Sequence, residues 1–209
     1  MRIAGIDPGL EITGYGIVDV EGPRMRVVTA GALRSSVGRP LAARLQALHD
    51  GIAALCRTAH PETIALEALY SHYAHPTTAI LMGHVRGVIL LAAAEAGIAV
   101  ESYPATHIKK AVTGRGHATK AQMQRMVQML LQLPALPEPA DVADALAMAI
   151  THAHALRAPR PGVGAGRPPA GAPGPRPVDQ ARVRVPGHEV VGVTPPPVRR
   201  DHERWSIHS

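Results

Sequence analysis

The chain has 209 residues, a formal net charge of +6 and one cysteine, Cys56, so no disulfide can form within it. Its length suits one domain with an appendage or two small domains. The N-terminus has no basic segment followed by a long apolar run, and the longest apolar stretch, 87–94, ends at Glu95. We therefore expect no signal peptide, no membrane-spanning helix and a reducing, cytoplasmic location.

The basic excess is concentrated towards the C-terminus. Residues 158–209 hold 8 of the 22 Lys and Arg residues, 4 of the 16 Asp and Glu residues and 11 of the 20 prolines. A net positive charge suits a polyanionic partner. A segment without hydrophobic periodicity cannot bury enough apolar surface to offset its ordering entropy. We predict a folded domain over 1–157 and a disordered Pro/Gly/Arg-rich tail over 158–209.

The order of elements along the chain predicts an α/β domain. Short apolar runs broken by turn residues indicate an antiparallel meander of three strands over 2–7, 13–20 and 26–33. A helix over 41–58 precedes a fourth strand over 62–69, which we expect to lie parallel to the first. The remaining segments are predicted as a helix over 77–96, a fifth strand over 98–103, and helices over 104–112, 118–131 and 139–157. Together they predict a five-stranded mixed sheet flanked by helices.

Acidic residues lie at or near the ends of two predicted strands and near the start of the last helix. Asp7 ends the first strand, Glu67 lies near the end of the fourth, and Asp141 and Asp144 stand three apart near the first turn of the helix over 139–157. In-phase side chains at the same end of neighbouring strands meet at about 5 Å. The helix could place its two carboxylates over those strand ends. Four such charges would repel without cations, so the pattern predicts a site for two Mg²⁺ ions.

Each carboxylate also has a simpler interpretation. Asp7 could cap its own turn, Asp141 could be a helix N-cap, and Asp144 could interact with the helix dipole. Glu67 is harder to explain in this way, because Glu gains little at a strand end. The metal-site hypothesis accounts for all of them together.

Several separated motifs resemble the RuvC family of Holliday-junction resolvases. They are Gly5-Ile-Asp-Pro-Gly-Leu10 with Thr13-Gly-Tyr-Gly16, Ala65-Leu-Glu67 followed by Tyr70, Gly83-His-Val-Arg-Gly87, and Asp141-Val-Ala-Asp-Ala-Leu-Ala-Met-Ala-Ile-Thr-His152. The resemblance covers residues 1–155 in order and spacing. It implies a ribonuclease-H-like fold, a homodimer and Mg²⁺-dependent paired nicking of four-way DNA junctions, with Mn²⁺ as a substitute, in homologous recombination and DNA repair. A junction-migrating motor complex of the RuvA–RuvB type is the implied partner.

The resemblance also assigns roles to residues. It makes the catalytic carboxylates and metal ligands Asp7, Glu67, Asp141 and Asp144; some relatives carry His at the position of Asp141. Lys109 and Lys120 match basic positions near the scissile phosphate, whereas Lys110 is interpreted as a bystander. The residues interpreted as DNA-binding are thus Tyr70, Lys109, Lys120 and Arg86.

Tyr70 matches an aromatic residue that stacks on an unpaired base, and Tyr73 is a second candidate for that role. Arg86 lies in a helix whose family counterpart forms much of the dimer interface, so it would contact DNA or the partner subunit. His152 and His154 are interpreted as non-ligands, because they lie far from the start of their helix.

Two other functions compete with this hypothesis. Actin-like ATPases also begin with Asp-x-Gly on a first strand, but they need two large lobes around the nucleotide, which 157 foldable residues cannot build. A non-catalytic junction-binding module would have a decayed site, whereas all the expected carboxylates are present here.

Overall fold

The structure is a computed structural model that describes residues 1–68 and 76–157. That part of the chain forms five strands and five helices. Their bounds are β1 Arg2–Asp7, β2 Ile12–Glu21, β3 Arg24–Arg34, α1 Leu41–Ala59, β4 Thr63–Glu67, α2 Pro76–Glu95, β5 Ala99–Tyr103, α3 Ala105–Thr113, α4 Lys120–Leu130 and α5 Ala140–Arg157. The predicted tail over 158–209 lies outside the described residues.

The strands form one mixed sheet in the order β3-β2-β1-β4-β5. The first three are antiparallel neighbours, while β4 pairs in parallel with both β1 and β5. This confirms the predicted α/β class, the meander and the parallel fourth strand. Strand β4 ends at Glu67, which the prediction had placed two residues before the strand's end.

Alternate residues of the central strands face two different helical layers. Ile3 and Ala65 belong to the core beneath α3, α4 and α5. Ile64 and Leu66 belong to the core beneath α1 and α2. Odd-numbered positions of β1 and β4 therefore point towards α5, and this is the face on which Asp7 and Glu67 stand.

Glycines allow α5 to lie directly on the backbones of β1 and β2. A Cβ atom added at Gly5 would lie 1.9 Å from the carbonyl oxygen of Ala145, and one at Gly14 would lie 2.0 Å from that of Asp141. Helix α5 is correspondingly buried from Ala145 through Ala153. Because no side chains separate them, the start of α5 is brought to the end of β1.

Helix α2 differs from the expectation that no segment could span a membrane. Thr77–Glu95 is 19 residues long with a mean hydropathy of 1.6, which is enough by length and composition alone. The expectation had counted only an uninterrupted apolar run, whereas this helix includes two glycines, His84 and Arg86. Val85 and Ile89 are fully buried in the domain core, so part of this apolarity comes from core packing.

Candidate active site

A cavity of about 300 Å³ opens where the carboxyl ends of β1 and β4 meet α3, α4 and α5. It brings together three of the predicted acids and both predicted lysines. Its lining residues are Asp7, Glu67, Ala105, Ile108, Lys109, Lys120, Met123, Asp144 and Met148.

Strand pairing sets the position of the first two carboxylates. Ile6 pairs with Leu66 in the parallel register of β1 and β4, so Asp7 and Glu67 follow at equivalent positions on the same face. The turn after Asp7 is closed by Thr13, whose hydroxyl donates to the Gly9 carbonyl at 2.6 Å and accepts from the Gly9 amide at 3.3 Å. Strand pairing therefore holds the backbone before Asp7, and the hydrogen bonds of Thr13 hold the turn after it.

Helix α5 supplies the remaining carboxylates from above the sheet. Asp144 lines the cavity, whereas Asp141, one turn earlier, does not. The carbonyl oxygen of Asp141 lies over Gly14, which places this residue at the edge of β2. Its charge nevertheless reaches the site, since it raises the pKa values of both Asp7 and Asp144.

The carboxylates disfavour one another's ionised forms. Burial, followed by the charges of Asp144, Glu67 and Asp141, raises the pKa of Asp7 from 3.8 to about 8. Burial also raises the pKa values of Glu67 and Asp144, which Lys109 and Lys120 partly offset. The protein thus concentrates more negative charge here than its two lysines compensate, which is the environment that a divalent cation relieves.

The donor set fits Mg²⁺. Among the described residues, no three or more His, Cys, Asp or Glu side chains are close enough to hold an ion by themselves. Mg²⁺ usually keeps several water ligands and is held through one or two carboxylates together with substrate phosphates. Separate carboxylates around a cavity that admits water suit such an ion better than a closed protein cage would.

The two lysines lie near helix ends, Lys120 at the start of α4 and Lys109 near the end of α3. Thr119 caps α4 in a reciprocal capping box with Gln122, so Lys120 is the first residue of that helix. In α3, the hydroxyl of Thr113 donates to the carbonyl of Lys109 at 2.8 Å near the helix end. Both lysines line the cavity, and their charges lower the pKa values of Glu67 and Asp144 against the effect of burial.

The remaining predicted site residues are Tyr70, Tyr73 and Arg86. Tyr70 and Tyr73 fall outside the described residues. Arg86 does not line the cavity; its guanidinium donates to the Glu67 carbonyl oxygen and, at 2.5 Å, to Ser102 Oγ. Its contact with DNA or with a partner subunit stays a prediction.

The histidines of α5 lie away from the carboxylates. The ring of His152 is buried, and its Nδ1 lies 2.6 Å from the hydroxyl oxygen of Tyr103. Burial lowers the pKa of His152. Neither His152 nor His154 lines the cavity, as expected of residues interpreted as non-ligands.

Several residues that shape the site were missed from the sequence. Met123 and Met148 line the cavity, and Ser102 binds Arg86. An apolar lining residue has no signal that separates it from a core residue. Thr119 and Gln122 had a usable signal, since Thr-x-x-Gln is a capping-box pattern that marks the start of α4 at Lys120.

Comparison with known proteins gives a consistent result. The sequence model of the family described as crossover junction endodeoxyribonuclease RuvC matches residues 3–152. The protein of that name from Rhodopirellula baltica is 50% identical over 148 residues, covering 71% of this chain and 83% of the relative. Its counterpart from Heliobacterium modesticaldum is 46% identical over 156 residues, covering 75% and 96%.

A solved structure extends the comparison to three dimensions. Thermus thermophilus RuvC in complex with a Holliday junction substrate superposes with a TM-score of 0.71 at 35% identity, covering 75% of this chain and 95% of that chain. This confirms the ribonuclease-H-like fold. With the family match over most of the chain, it shows that the chain belongs to the RuvC family of crossover junction endodeoxyribonucleases.

Proposed function

We infer that this protein is a Holliday junction resolvase, an endonuclease that recognises four-way DNA junctions by their structure and nicks two opposing strands. The observation that carries this inference is the cavity in which Asp7, Glu67 and Asp144 face Lys109 and Lys120. The family and the junction-bound relative name the substrate. The activity would serve homologous recombination and DNA repair. Family membership also decides against the actin-like ATPase alternative.

The metal requirement follows from the charge of the site. We propose two Mg²⁺ ions per site, replaceable by Mn²⁺, held by Asp7, Glu67 and Asp144 in the cavity and by Asp141 at its edge. Bound divalent cations neutralise charge that develops on a phosphate and lower the pKa of water. The carboxylates would hold the ions in position at the phosphate. Hydrolysis would leave 5′-phosphate and 3′-hydroxyl ends.

Lys109 and Lys120 are proposed to hold the DNA phosphate. Both lysines line the same cavity as Asp7, Glu67 and Asp144, so a phosphate bound there would be within reach of positive groups as well as of the metal site. Tyr70, two residues beyond the described end of the β4 segment, is proposed to stack on an unpaired base at the junction.

Symmetric cleavage requires two sites, and α2 offers the surface to pair them. Ile80 and Leu91 are 60% and 54% exposed, and the space beside Gly83 and Gly87 is open. These positions share one face of the helix. We propose that this face forms a homodimer, with the glycines allowing close approach of the two helices.

The dimer is tested by Leu91→Arg. We expect this variant to elute as a monomer at micromolar concentration in light-scattering chromatography, because a charge would be buried without a partner. Leu156→Arg is the matched control, since Leu156 is 52% exposed on α5 and should leave the dimer intact. If both variants had the mass of a dimer, the interface would lie elsewhere.

The partner and location remain proposals from the family resemblance. A junction-migrating complex of the RuvA–RuvB type would supply the substrate, and the reduced cysteine suits a cytoplasmic protein.

The function is tested with a mobile four-way junction and a linear duplex of matched sequence, each with Mg²⁺ and with EDTA. We expect paired nicks in the junction only, and only with Mg²⁺. Asp7→Asn should bind the junction and leave it uncut. Equal cutting of both substrates, or cutting in EDTA, would contradict the proposal.

A further inference from the structure

Arg86 reaches the active-site strand from the side of the sheet opposite the carboxylates. Ile64 and Leu66 of β4 pack beneath α1 and α2, so Glu67 points to the other face. Ser102 pairs with Leu66 in the parallel register of β4 and β5 and therefore shares the α2 side. From α2, the guanidinium of Arg86 bridges the carbonyl oxygen of Glu67 and the hydroxyl of Ser102.

The environment of this cation is unusual for a structural arginine. Among residues 1–68 and 76–157, no carboxylate lies within ion-pair distance of Arg86. Its guanidinium is partly buried and its acceptors are neutral oxygens, so the cost of removing the charge from water is not offset by an opposite charge.

The hydrogen bond from Arg86 to the Glu67 carbonyl lies at the end of β4. Beyond Glu67, the amide of Ala68 donates to the carbonyl of Tyr103 at 2.9 Å. The carbonyl of Glu67 and the amide of Ala68 are thus both occupied, one by α2 and one by β5. Lys109 and Lys120 act on the charge of the Glu67 carboxylate, whereas Arg86 acts on its backbone.

We propose that Arg86 is a positioning residue: by clamping the Glu67 carbonyl from behind the sheet, it fixes the Glu67 carboxylate for metal binding. The planar guanidinium can serve two acceptors at once, which a lysine ammonium on a flexible stem cannot do in the same geometry. The inference rests on the metal site proposed above. It also links α2, the proposed dimer helix, to a catalytic carboxylate.

The test compares Arg86→Lys, which keeps the charge, with Arg57→Lys, an exposed position on α1. We expect Arg86→Lys to raise the Mg²⁺ concentration for half-maximal junction cleavage about tenfold, as loss of a group that orients a metal ligand does. The Mn²⁺ concentration that produces half of the metal-induced rise in melting temperature, measured without DNA, should move by the same factor. Arg57→Lys should leave both midpoints unchanged.

The affinity for the junction in EDTA separates positioning from DNA contact. We expect Arg86→Lys and Ser102→Ala to bind the junction within twofold of the unmodified protein, with Ser102→Ala showing a smaller shift of the metal midpoints. Clearly weaker junction binding by Arg86→Lys in EDTA would overturn the proposal in favour of a direct contact between the guanidinium and DNA. If Arg86→Lys lowered the melting temperature but left the Mg²⁺ and Mn²⁺ midpoints unchanged, Arg86 would stabilise the fold without positioning Glu67 for metal binding. Failure of the unmodified protein to cut in Mg²⁺ would instead remove the proposed function.

Discussion

The two faces of the sheet are built from different residues. Towards α5, the strands present glycines such as Gly5 and Gly14, and the helix approaches until no Cβ atom fits between them. Towards α1 and α2, the strands present large aliphatic side chains, including Ile64 and Leu66, which form an ordinary core. The carboxylates all belong to the first face.

This difference shows how a fold holds charges close together. Aliphatic side chains tolerate small shifts of a helix, because a packed layer can adjust its rotamers. A helix seated on backbone has less of this freedom, so the position of α5 and its Asp144 relative to β1 is closely fixed. The glycines set this close approach, while Ile3 and Val18 on the same face add to the apolar core.

The largest expected effect comes from a substitution at Gly5, where α5 contacts the backbone of β1. Gly5→Ala places a Cβ atom 1.9 Å from the Ala145 carbonyl, so α5 must move. We expect a loss of about 4 kcal/mol or more in the free energy of unfolding. Gly38→Ala is the matched control, because nothing lies within 4 Å of that position. Urea denaturation measures both, and similar midpoints would refute the close packing of α5.

The second prediction concerns the lysines opposite the carboxylates. Lys120→Ala should lower the single-turnover cleavage rate at saturating Mg²⁺ about 100-fold, since an oriented cation stabilises charge in the transition state. Lys110→Ala, an exposed neighbour of Lys109 on α3, should cut at the normal rate. Equal rates for the two variants would remove Lys120 from the chemistry.

The third prediction follows from the raised pKa of Asp7. Asp7 has a pKa of about 8 in the folded, metal-free protein, whereas an ordinary Asp side chain has a pKa of 3.8. The resulting stability is complete below pH 3.8 and is lost as the pH rises through about 8. Asp7→Asn cannot ionise, so in EDTA at pH 8.5 it should be more stable than the unmodified protein by roughly 1–3 kcal/mol.

Thermal melts of both proteins at pH 5 and pH 8.5 in EDTA test whether Asp7→Asn becomes the more stable one as the pH rises. The advantage of Asp7→Asn should be large at the higher pH and small at the lower one. An advantage of the same size at both pH values would show that the cost of ionising the buried Asp7 beside the other carboxylates is not its source.

The smallest expected effect lies at the edge of the α5 face. Tyr103→Phe removes the hydroxyl that lies 2.6 Å from His152 Nδ1 and should cost about 1 kcal/mol of unfolding free energy. Denaturant midpoints measure the loss, and cleavage should continue at the normal rate. A large fall in cleavage would mean that the Tyr103 hydroxyl supports the active site as well.

The sequence was sufficient for the fold and for most of the site. Periodicity and breakers predicted every strand and helix of the described chain, because each apolar run ends at a clear turn residue or cap. The positions of Asp7 and Glu67 followed from the parallel pairing of two strand ends. Asp144 followed from its place in the first turns of a helix that had to cover the sheet.

The remaining features depend on three-dimensional distances that a pattern does not contain. Asp141 and Asp144 looked equivalent in sequence, yet only Asp144 lines the cavity, while the carbonyl of Asp141 lies against Gly14. The family resemblance suggested a contact of Arg86 with DNA or with a partner subunit, and nothing in the sequence pointed to its hydrogen bond with the Glu67 carbonyl. Both features become visible only in the tertiary structure.

The origin of the carboxylates in β1, β4 and α5 has a consequence for synthesis of the protein. More than half of the chain separates Asp7 from Asp144, so the cavity can close only after α5 has left the ribosome and docked. A nascent chain that has made only the sheet carries an incomplete set of acids. We therefore expect a nascent chain that lacks α5 to be inactive as a nuclease.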